Sequence, residues 1–311
     1  MEFLSSRLIM VTGKGGTGKT SLSTAIGVHL ADQGKRTLVL EVDNFHPSFK
    51  RIFDVDSTYH PTQVSPGLSI CNVTWTQALR EWLEQTVHSQ RVTNLILKNR
   101  MATVFLDATP GAREIVILSK IISLMEDFDH VVVDMPASGH AVGILRVPNT
   151  AMRLMRSGPI REKAQHIIDV FSRQKTSLGI VCLPEEMVVN ETLELWHQIH
   201  KEVPTISPPK VFLNRSSDPS LTEDEQVLLS RLESEFTENP DAMELLQAGR
   251  WEEELEQATG TAIKRLESVL ESSVTTFPRL GALGGFSGGP RLVVEQMSKS
   301  LSRKRNTENQ S

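Results

Sequence analysis

The feature that most constrains this chain is a glycine-rich segment of eight residues near its N-terminus. Residues 13–20 read Gly-Lys-Gly-Gly-Thr-Gly-Lys-Thr, which fits the phosphate-binding pattern G-x-x-x-x-G-K-[ST]. The apolar run Leu8–Val11 before them predicts a buried strand, and the apolar spacing after them predicts a helix that ends near Asp32. A strand, a glycine turn and a helix N-terminus together form an anion site, because unpaired N–H groups at the helix start point at the anion.

The residues of this segment have distinct expected roles. Glycines let the backbone close around phosphates without Cβ clashes. Lys19 is expected to reach the β- and γ-phosphates of a nucleotide, and Thr20 to ligate Mg²⁺ through its hydroxyl. The residues expected to bind the nucleotide here are Gly13, Lys14, Gly15, Gly16, Thr17, Gly18, Lys19, Thr20 and Ser21.

The same glycines also fit a second pattern. Gly13, Gly15 and Gly18 spell the dinucleotide fingerprint G-x-G-x-x-G, and Glu41 and Asp43 at the end of the second predicted strand suit a ribose contact. That fingerprint does not require a Lys-Thr pair after its third glycine, whereas the triphosphate loop does. A chance glycine turn is the third alternative, and the strand and helix on either side argue against it.

Lys14 has no role in an ordinary phosphate loop. A lysine directly after the first glycine is expected to point away from Lys19 and to reach a nucleotide held by another subunit. The alternative is a solvated surface lysine. The first interpretation predicts a dimer.

Composition and charge bound the class of protein. The chain has 311 residues, of which 39% are hydrophobic and 23% charged, so it can form one large α/β domain with insertions. A net charge of −5 does not favour binding to nucleic acid. No apolar run approaches the ~18 residues of a membrane span. The start of the chain lacks the basic segment of a secretory signal. Cys71 and Cys182 lie in strand-like contexts that suit buried free thiols, so we expect a cytoplasmic protein.

Strands and helices alternate along the chain, which predicts a doubly wound, mostly parallel α/β sheet. We expect a single domain over residues 1–301, all-helical insertions at about 76–128 and 148–176, and a disordered tail at 302–311. The predicted strands are Leu8–Val11, Thr37–Val42, Leu68–Val73, His130–Asp134, Leu178–Cys182, Lys210–Leu213 and, more weakly, Val274–Phe277. The predicted helices are Gly18–Asp32, Trp75–Lys98, Ala112–Glu126, Gly139–Met155, Glu185–Glu202 and Trp251–Leu270.

Two aspartates follow predicted strands at the sheet edge where ligands bind. Asp43 can orient a water against the γ-phosphate, although an aspartate before an asparagine is also typical of a turn. Asp134 ends an apolar strand and has the form of a Walker B carboxylate, which holds the Mg²⁺ shell. The expected catalytic residues are Lys14, Lys19, Asp43 and Asp134, and the expected metal-shell residues are Thr20 and Asp134.

Two motifs carry a resemblance to a known family. Residues 13–20 resemble the deviant P-loop of the ArsA/tail-anchored-protein-targeting ATPases. Residues 128–148 resemble the switch II segment of the same family, and they include the run Asp134-Met135-Pro136-Ala137-Ser138-Gly139-His140. Weaker resemblances lie at residues 110–114 and 183–192. Asn214 resembles the asparagine that reads adenine in that family, and Pro278 lies where the family closes the other side of the base.

The resemblance implies a P-loop NTPase fold, ATP/ADP and Mg²⁺ as cofactors, and hydrolysis of ATP to ADP and phosphate. It also implies a homodimer, or a heterodimer with an ArsA-like paralogue, that acts on a protein client. The client is not encoded in any motif that we recognise.

The chain departs from the family pattern at switch I. Residues 43–48 keep the aspartate and the histidine of that motif but move its proline. No C-x-x-C motif is present, so the zinc clasp of the targeting factor is not expected. These departures leave two alternatives open. One is a nucleotide-binding paralogue with weak or no activity that regulates a second ArsA-like subunit, and the other is P-loop kinase or synthetase chemistry on a small substrate.

Overall fold

The computed structural model describes residues 2–44, 48–87, 89–99, 109, 111–172, 175–217, 222–236, 239–280 and 289–308. The chain divides into two compact units. The first comprises Met1–Ile180, Leu195–Lys210 and Gly288–Ser311, and the second comprises Val181–Glu194 and Val211–Ser287. The single domain expected over residues 1–301, with its two helical insertions, stays a prediction.

A mostly parallel sheet is the centre of the first unit. Its strands are β1 (Leu8–Gly13), β2 (Thr37–Val42), β3 (Thr62–Ser65), β4 (Leu68–Val73), β5 (His130–Asp134) and β6 (Thr176–Cys182). They lie in the order β3-β4-β2-β5-β1-β6, and β1, β5, β2 and β4 pair in parallel. This order, with helices between the strands, confirms the doubly wound α/β class for the described residues.

Helices follow the strands as the sequence predicts, with one division. The described helices of this part of the chain are α1 (Glu2–Ser5), α2 (Lys19–Asp32), α3 (Phe49–Phe53), α4 (Trp75–Val87), α5 (Gln90–Lys98), α6 (Ala112–Leu124), α7 (Ser138–Leu154), α8 (Pro159–Ser172) and α9 (Glu186–Glu202). The predicted helix Trp75–Lys98 is two helices, α4 and α5. Ser89 is extended at φ −145°, which interrupts the helical backbone before α5 begins.

Helix α2 lies unusually close to the sheet. A Cβ atom on Gly27 would lie 2.1 Å from Val39 Cγ2 on β2, so only a glycine fits between this helix and the strand. All six residues of β1 are buried, which fixes the other side of the loop that connects β1 to α2. The two cysteines, Cys71 and Cys182, are buried and unbridged, as predicted.

Strand β3 is an addition to the predicted sheet. It pairs antiparallel with β4 at the edge of the sheet, across a turn at Gly67, whose φ is +76°. Its residues are partly or fully exposed, so the segment lacks the continuous apolar run that marks the buried parallel strands.

The second unit contains two short parallel strands and two helices that the sequence only partly predicts. Strand β7 (Lys210–Ser216) pairs with β8 (Thr275–Pro278). Helix α10 (Glu223–Glu235) begins with a capping box between Thr222 and Glu225. Helix α11 (Pro240–Leu270) begins eleven residues before the predicted start at Trp251, because Asn239 caps it and Pro240 occupies its first turn.

The last described helix, α12 (Pro290–Glu308), reaches beyond the predicted domain end. Residues 302–308 continue this helix, whereas the sequence predicts a disordered tail from residue 302. The domain end at residue 301 stays a prediction. The glycine-rich stretch at 281–288 lies outside the described residues. Among the described helices, none is both long and apolar enough to cross a membrane.

Candidate functional site

The loop between β1 and α2 has the backbone of a phosphate cradle. Gly13, Gly16 and Gly18 have φ values of +144°, +83° and +98°, in the region that favours glycine. A Cβ atom on Gly15 or Gly16 would meet no atom within 4 Å, so there is open space beside these two glycines. The loop therefore has both the conformation and the room to accept a phosphate group.

The N-terminus of α2 faces this loop without a side-chain cap. Its N-cap residue is Gly18, which has no side chain to accept from the first N–H groups of the helix. Those donors and the helix dipole favour an anion at this position. Ser21 lies in the first turn of the helix, as predicted.

The carbonyl oxygen of Lys14 holds the loop together. It accepts from the hydroxyl of Thr17 across 2.9 Å and from Lys19 Nζ across 3.0 Å. Burial lowers the pKa of the Lys19 ammonium, and the nearby Asp134 carboxylate acts in the opposite direction. A bound triphosphate would offer this ammonium a charged partner in place of a neutral carbonyl.

Thr20 and Asp134, the two predicted metal-shell residues, are in direct contact. Thr20 Oγ1 donates to Asp134 Oδ2 across 2.5 Å, because Asp134 ends β5 directly beside Val11 of β1. The other oxygen, Asp134 Oδ1, is buried and has no hydrogen-bond partner among the described residues. An orphaned buried carboxylate oxygen is costly, and a cation would satisfy it.

The electrostatics of this carboxylate suit a nearby cation. Burial, which has the largest effect, and the neighbouring Glu41 carboxylate together raise the pKa of Asp134 to about 7, against the opposite effects of the Thr20 and Ser23 hydroxyls and of Lys19. The described residues hold no group of three histidine, cysteine or acidic side chains that could bind a metal alone. A hydroxyl and one carboxylate still fit Mg²⁺, which usually keeps several waters and takes the substrate phosphates as ligands.

Asp43, the predicted water-orienting residue, lies directly after β2. Its backbone is left-handed, with a φ of +50°. Its Oδ1 accepts from the N–H of Trp75 across 3.1 Å, and its Oδ2 forms an ion pair with Arg113. The sequence did not single out Arg113 for this contact, although it lies in the Pro-Gly-Ala-Arg-Glu segment that carries one of the weaker resemblances.

A cavity of about 770 Å³ lies beside Asp43 and Asp134. Its lining includes Arg113 on α6 and His140 in the first turn of α7. The two predicted carboxylates and the histidine of the switch II segment therefore share one chamber.

Glu41 is a buried residue of this site that the sequence analysis considered only as a ribose contact of the dinucleotide alternative. Its carboxylate accepts from Asn44 Nδ2 and from the N–H of Ser48, each across 3.0 Å. These two contacts lie on either side of residues 45–47, which are outside the described residues. The displaced proline of switch I is Pro47, one of those three residues. A glutamate within a strand of buried residues was the available signal.

The two residues predicted to contact the base lie in the second unit. Strands β7 and β8 are parallel there, with Ser216 opposite Pro278, so Asn214 and Pro278 lie near the ends of neighbouring strands. Asn214 is buried, and its Oδ1 accepts from the N–H of Arg215 across 2.9 Å. The two residues therefore lie on neighbouring strands of their unit, and their contact with adenine stays a prediction.

Comparison with known proteins identifies the family. A model of the family described as anion-transporting ATPases matches residues 6–173, which include the loop at 13–20, Asp43 and Asp134. The chain belongs to the ArsA family. Asn214 and Pro278 lie outside the matched residues.

Three relatives illustrate the range of ArsA similarity. The arsenical pump-driving ATPase of Acidiphilium multivorum is 27% identical over 230 residues, which are 66% of this chain and 38% of that protein. The ATPase BagA of Mycobacterium tuberculosis is 26% identical over 226 residues, which are 68% of this chain and 65% of that protein. An arsenical pump-driving ATPase of Escherichia coli is 26% identical over 218 residues, which are 61% of this chain and 37% of that protein. The match thus spans less than two thirds of each relative's length.

Proposed function

We propose that this ArsA-family chain binds ATP with Mg²⁺ and hydrolyses it to ADP and phosphate as a nucleotide-switched dimer. The observation that carries the proposal is the contact between Thr20 and Asp134, with the second carboxylate oxygen buried and unpartnered. The names of the relatives, which include arsenical pump-driving ATPases and an ATPase, support the same reaction.

Each residue of the site has a task in this reaction. The N–H groups of residues 15–20 and the Lys19 ammonium bind the phosphates. Thr20 and Asp134 would hold Mg²⁺, which when bound neutralises the charge on the β- and γ-phosphate oxygens. Asp43 accepts a hydrogen bond from the attacking water and so orients it in line with the leaving group. Asn214 and Pro278 bind the adenine.

The dimer is inferred from Lys14. Its position after the first glycine of the loop suits a contact with a nucleotide that a partner subunit holds. The partner is a second copy of this chain or an ArsA-like paralogue, and the client is a protein of unknown identity. The net charge of −5 argues against a nucleic-acid partner, and we place the protein in the cytoplasm without an integral membrane span.

A second candidate is a nucleotide-binding paralogue with little or no hydrolysis, which regulates an active ArsA-like subunit. The contacts of Asp43 favour this candidate, because both oxygens of its carboxylate are engaged by α4 and α6 rather than open towards a water. The displaced proline of switch I supports it as well.

Two measurements on the purified full chain separate these candidates. Calorimetry with a non-hydrolysable ATP analogue and Mg²⁺ tests binding, and phosphate release at saturating ATP tests hydrolysis. Binding with release that Asp43→Asn abolishes supports the ATPase. Binding without release supports the regulatory paralogue, and the absence of binding contradicts both.

A further inference from the structure

The carboxylate of Asp43 connects two helices in this structure. Oδ1 accepts from the backbone N–H of Trp75, the first residue of α4, across 3.1 Å. Oδ2 is paired with the guanidinium of Arg113, the second residue of α6. Each oxygen therefore already has a donor, although the proposed reaction needs one of them for the attacking water.

The backbone of Asp43 holds the carboxylate in this direction. A φ of +50° is uncommon for a residue other than glycine and persists only where surrounding contacts maintain it. The N–H of Asp43 donates to the carbonyl oxygen of Val73 across 2.9 Å, which adds a third contact. The resting direction of the side chain is thus set by α4, α6 and the end of β4.

Of these contacts, the pair with Arg113 is the one that can be released easily. The Arg113 side chain is 51% exposed, whereas that of Asp43 is 17% exposed. Ion pairs with such an exposed partner contribute little to stability, because solvent screens them and the long side chain loses conformational freedom. Arg113 also lines the cavity that contains Asp134 and His140, so it lies beside the catalytic carboxylates rather than on a remote surface.

We propose that Arg113 is a positioning residue that restrains Asp43, competing with the attacking water for Oδ2, so that hydrolysis requires this ion pair to open. The inference rests on the proposed ATPase function. It assigns Arg113 no contact with nucleotide. It predicts that removal of the guanidinium accelerates hydrolysis, which is the opposite of what removal of a substrate-binding arginine would do.

The test compares steady-state hydrolysis of Mg²⁺-ATP by wild type, Arg113→Ala and Arg113→Lys, with affinity for a non-hydrolysable analogue measured by calorimetry. Arg113→Ala should raise kcat roughly two- to fivefold, equivalent to about 0.4–1 kcal/mol, with the affinity unchanged. Arg113→Lys retains a cation and should return kcat towards the wild-type value. Arg36→Ala is the matched control, because Arg36 also forms an exposed ion pair, with Asp129, but at the opposite end of β2. It should leave kcat unchanged.

The variant pair Asp43→Asn and Asp43→Asn/Arg113→Ala tests whether Arg113 acts through Asp43. Arg113→Ala should not raise the residual kcat in the Asp43→Asn background. An equal rise in both backgrounds would overturn the inference, and so would a kcat for Arg113→Ala at or below that of wild type.

Failure of the proposed function looks different. It appears in the wild-type protein itself, as an absence of ATP binding in calorimetry or of phosphate release at saturating ATP. If the wild type binds ATP but releases no phosphate, hydrolysis by Arg113→Ala supports the inference, and continued inactivity of that variant overturns it.

Discussion

Glu41 and Asp134 lie directly opposite each other on the neighbouring parallel strands β2 and β5, near the end of each strand. Glu41 is only 2% exposed, and burial raises the pKa of both carboxyl groups. Lys19 is the cation that acts on Asp134 from the phosphate loop. Two neighbouring acids beside one ammonium leave excess negative charge, which a cation held by Thr20 and Asp134 would offset.

Removal of the Lys19 ammonium should weaken ATP binding. Lys19→Ala loses a charge-assisted contact with the terminal phosphates, of a type worth ~1.5–3 kcal/mol, so the Kd should rise roughly ten- to a hundredfold. Calorimetry with a non-hydrolysable analogue measures it. Lys50→Ala, which removes an exposed lysine paired with Asp56, is the control and should bind normally. A normal Kd for Lys19→Ala would contradict the assignment of the phosphate loop.

Asp134→Asn should increase the Mg²⁺ concentration needed for hydrolysis. The amide keeps an oxygen that can accept from Thr20 but has no charge for the metal, so the half-saturating Mg²⁺ concentration should rise about tenfold or more. A magnesium titration of phosphate release at fixed ATP measures this shift. An unchanged titration curve would remove Asp134 from the metal shell.

Asp43→Asn should slow hydrolysis while ATP binding is retained. The substituted side chain can still accept from the N–H of Trp75, so α4 keeps this contact at its first residue. A group that orients the attacking water acts mainly in the transition state, and its loss should lower kcat by about a hundredfold. Single-turnover phosphate release, with affinity measured in parallel, separates the two effects. Hydrolysis at the wild-type rate would make Asp43 a turn residue.

Lys14→Ala should abolish nucleotide-dependent association without unfolding the chain, since a partly exposed lysine contributes little to stability. Light scattering with ADP and with a non-hydrolysable ATP analogue should detect a dimer in the wild type in only one of the two states. Lys35→Ala, which removes an exposed lysine before β2, is the control. A wild-type monomer in both states, with full activity in Lys14→Ala, would mean that Lys14 is a surface residue.

Gly111→Ala should destabilise the protein by roughly 1–3 kcal/mol. Gly111 has a φ of +85°, and its added Cβ would lie 2.8 Å from Val147 Cγ1 on α7. Gly143→Ala is a matched control on α7, because nothing lies within 4 Å of its added Cβ. The control should be neutral or stabilise by ~0.5–1 kcal/mol, since alanine favours the helix. Urea unfolding measures both, and equal effects would contradict the argument.

The parts of the fold that sequence predicts well are those with a strong local signal. Strand β5 is a buried run of valines that ends in Asp134, and its bounds follow from that pattern. Its place beside β1 comes from the structure alone. Strand β3 has no such run, because an edge strand exposes its residues and the turn at Gly67 is the main local sign of it.

The candidate site divides in the same way. Thr20 and Asp134 each belong to a motif with fixed internal spacing, so the sequence alone predicts that both belong to one metal shell. Arg113 is separated from Asp43 by 70 positions, and their contact depends on where α6 begins relative to the end of β2. A pairing of this kind follows from the packing of elements, which no local pattern encodes.

The amide N–H of Trp75 connects the first turn of α4 to the candidate nucleotide site, because it donates to Asp43 Oδ1 across 3.1 Å. While Asp43 holds it, this proton is shielded from solvent deuterium. A turn of the carboxylate towards a bound nucleotide, which the proposed reaction requires, would remove this acceptor and should speed the exchange of the proton. The deuterium content at the amide of Trp75 should therefore report how often Asp43 leaves its resting contacts. This measurement needs neither a substituted protein nor turnover of ATP.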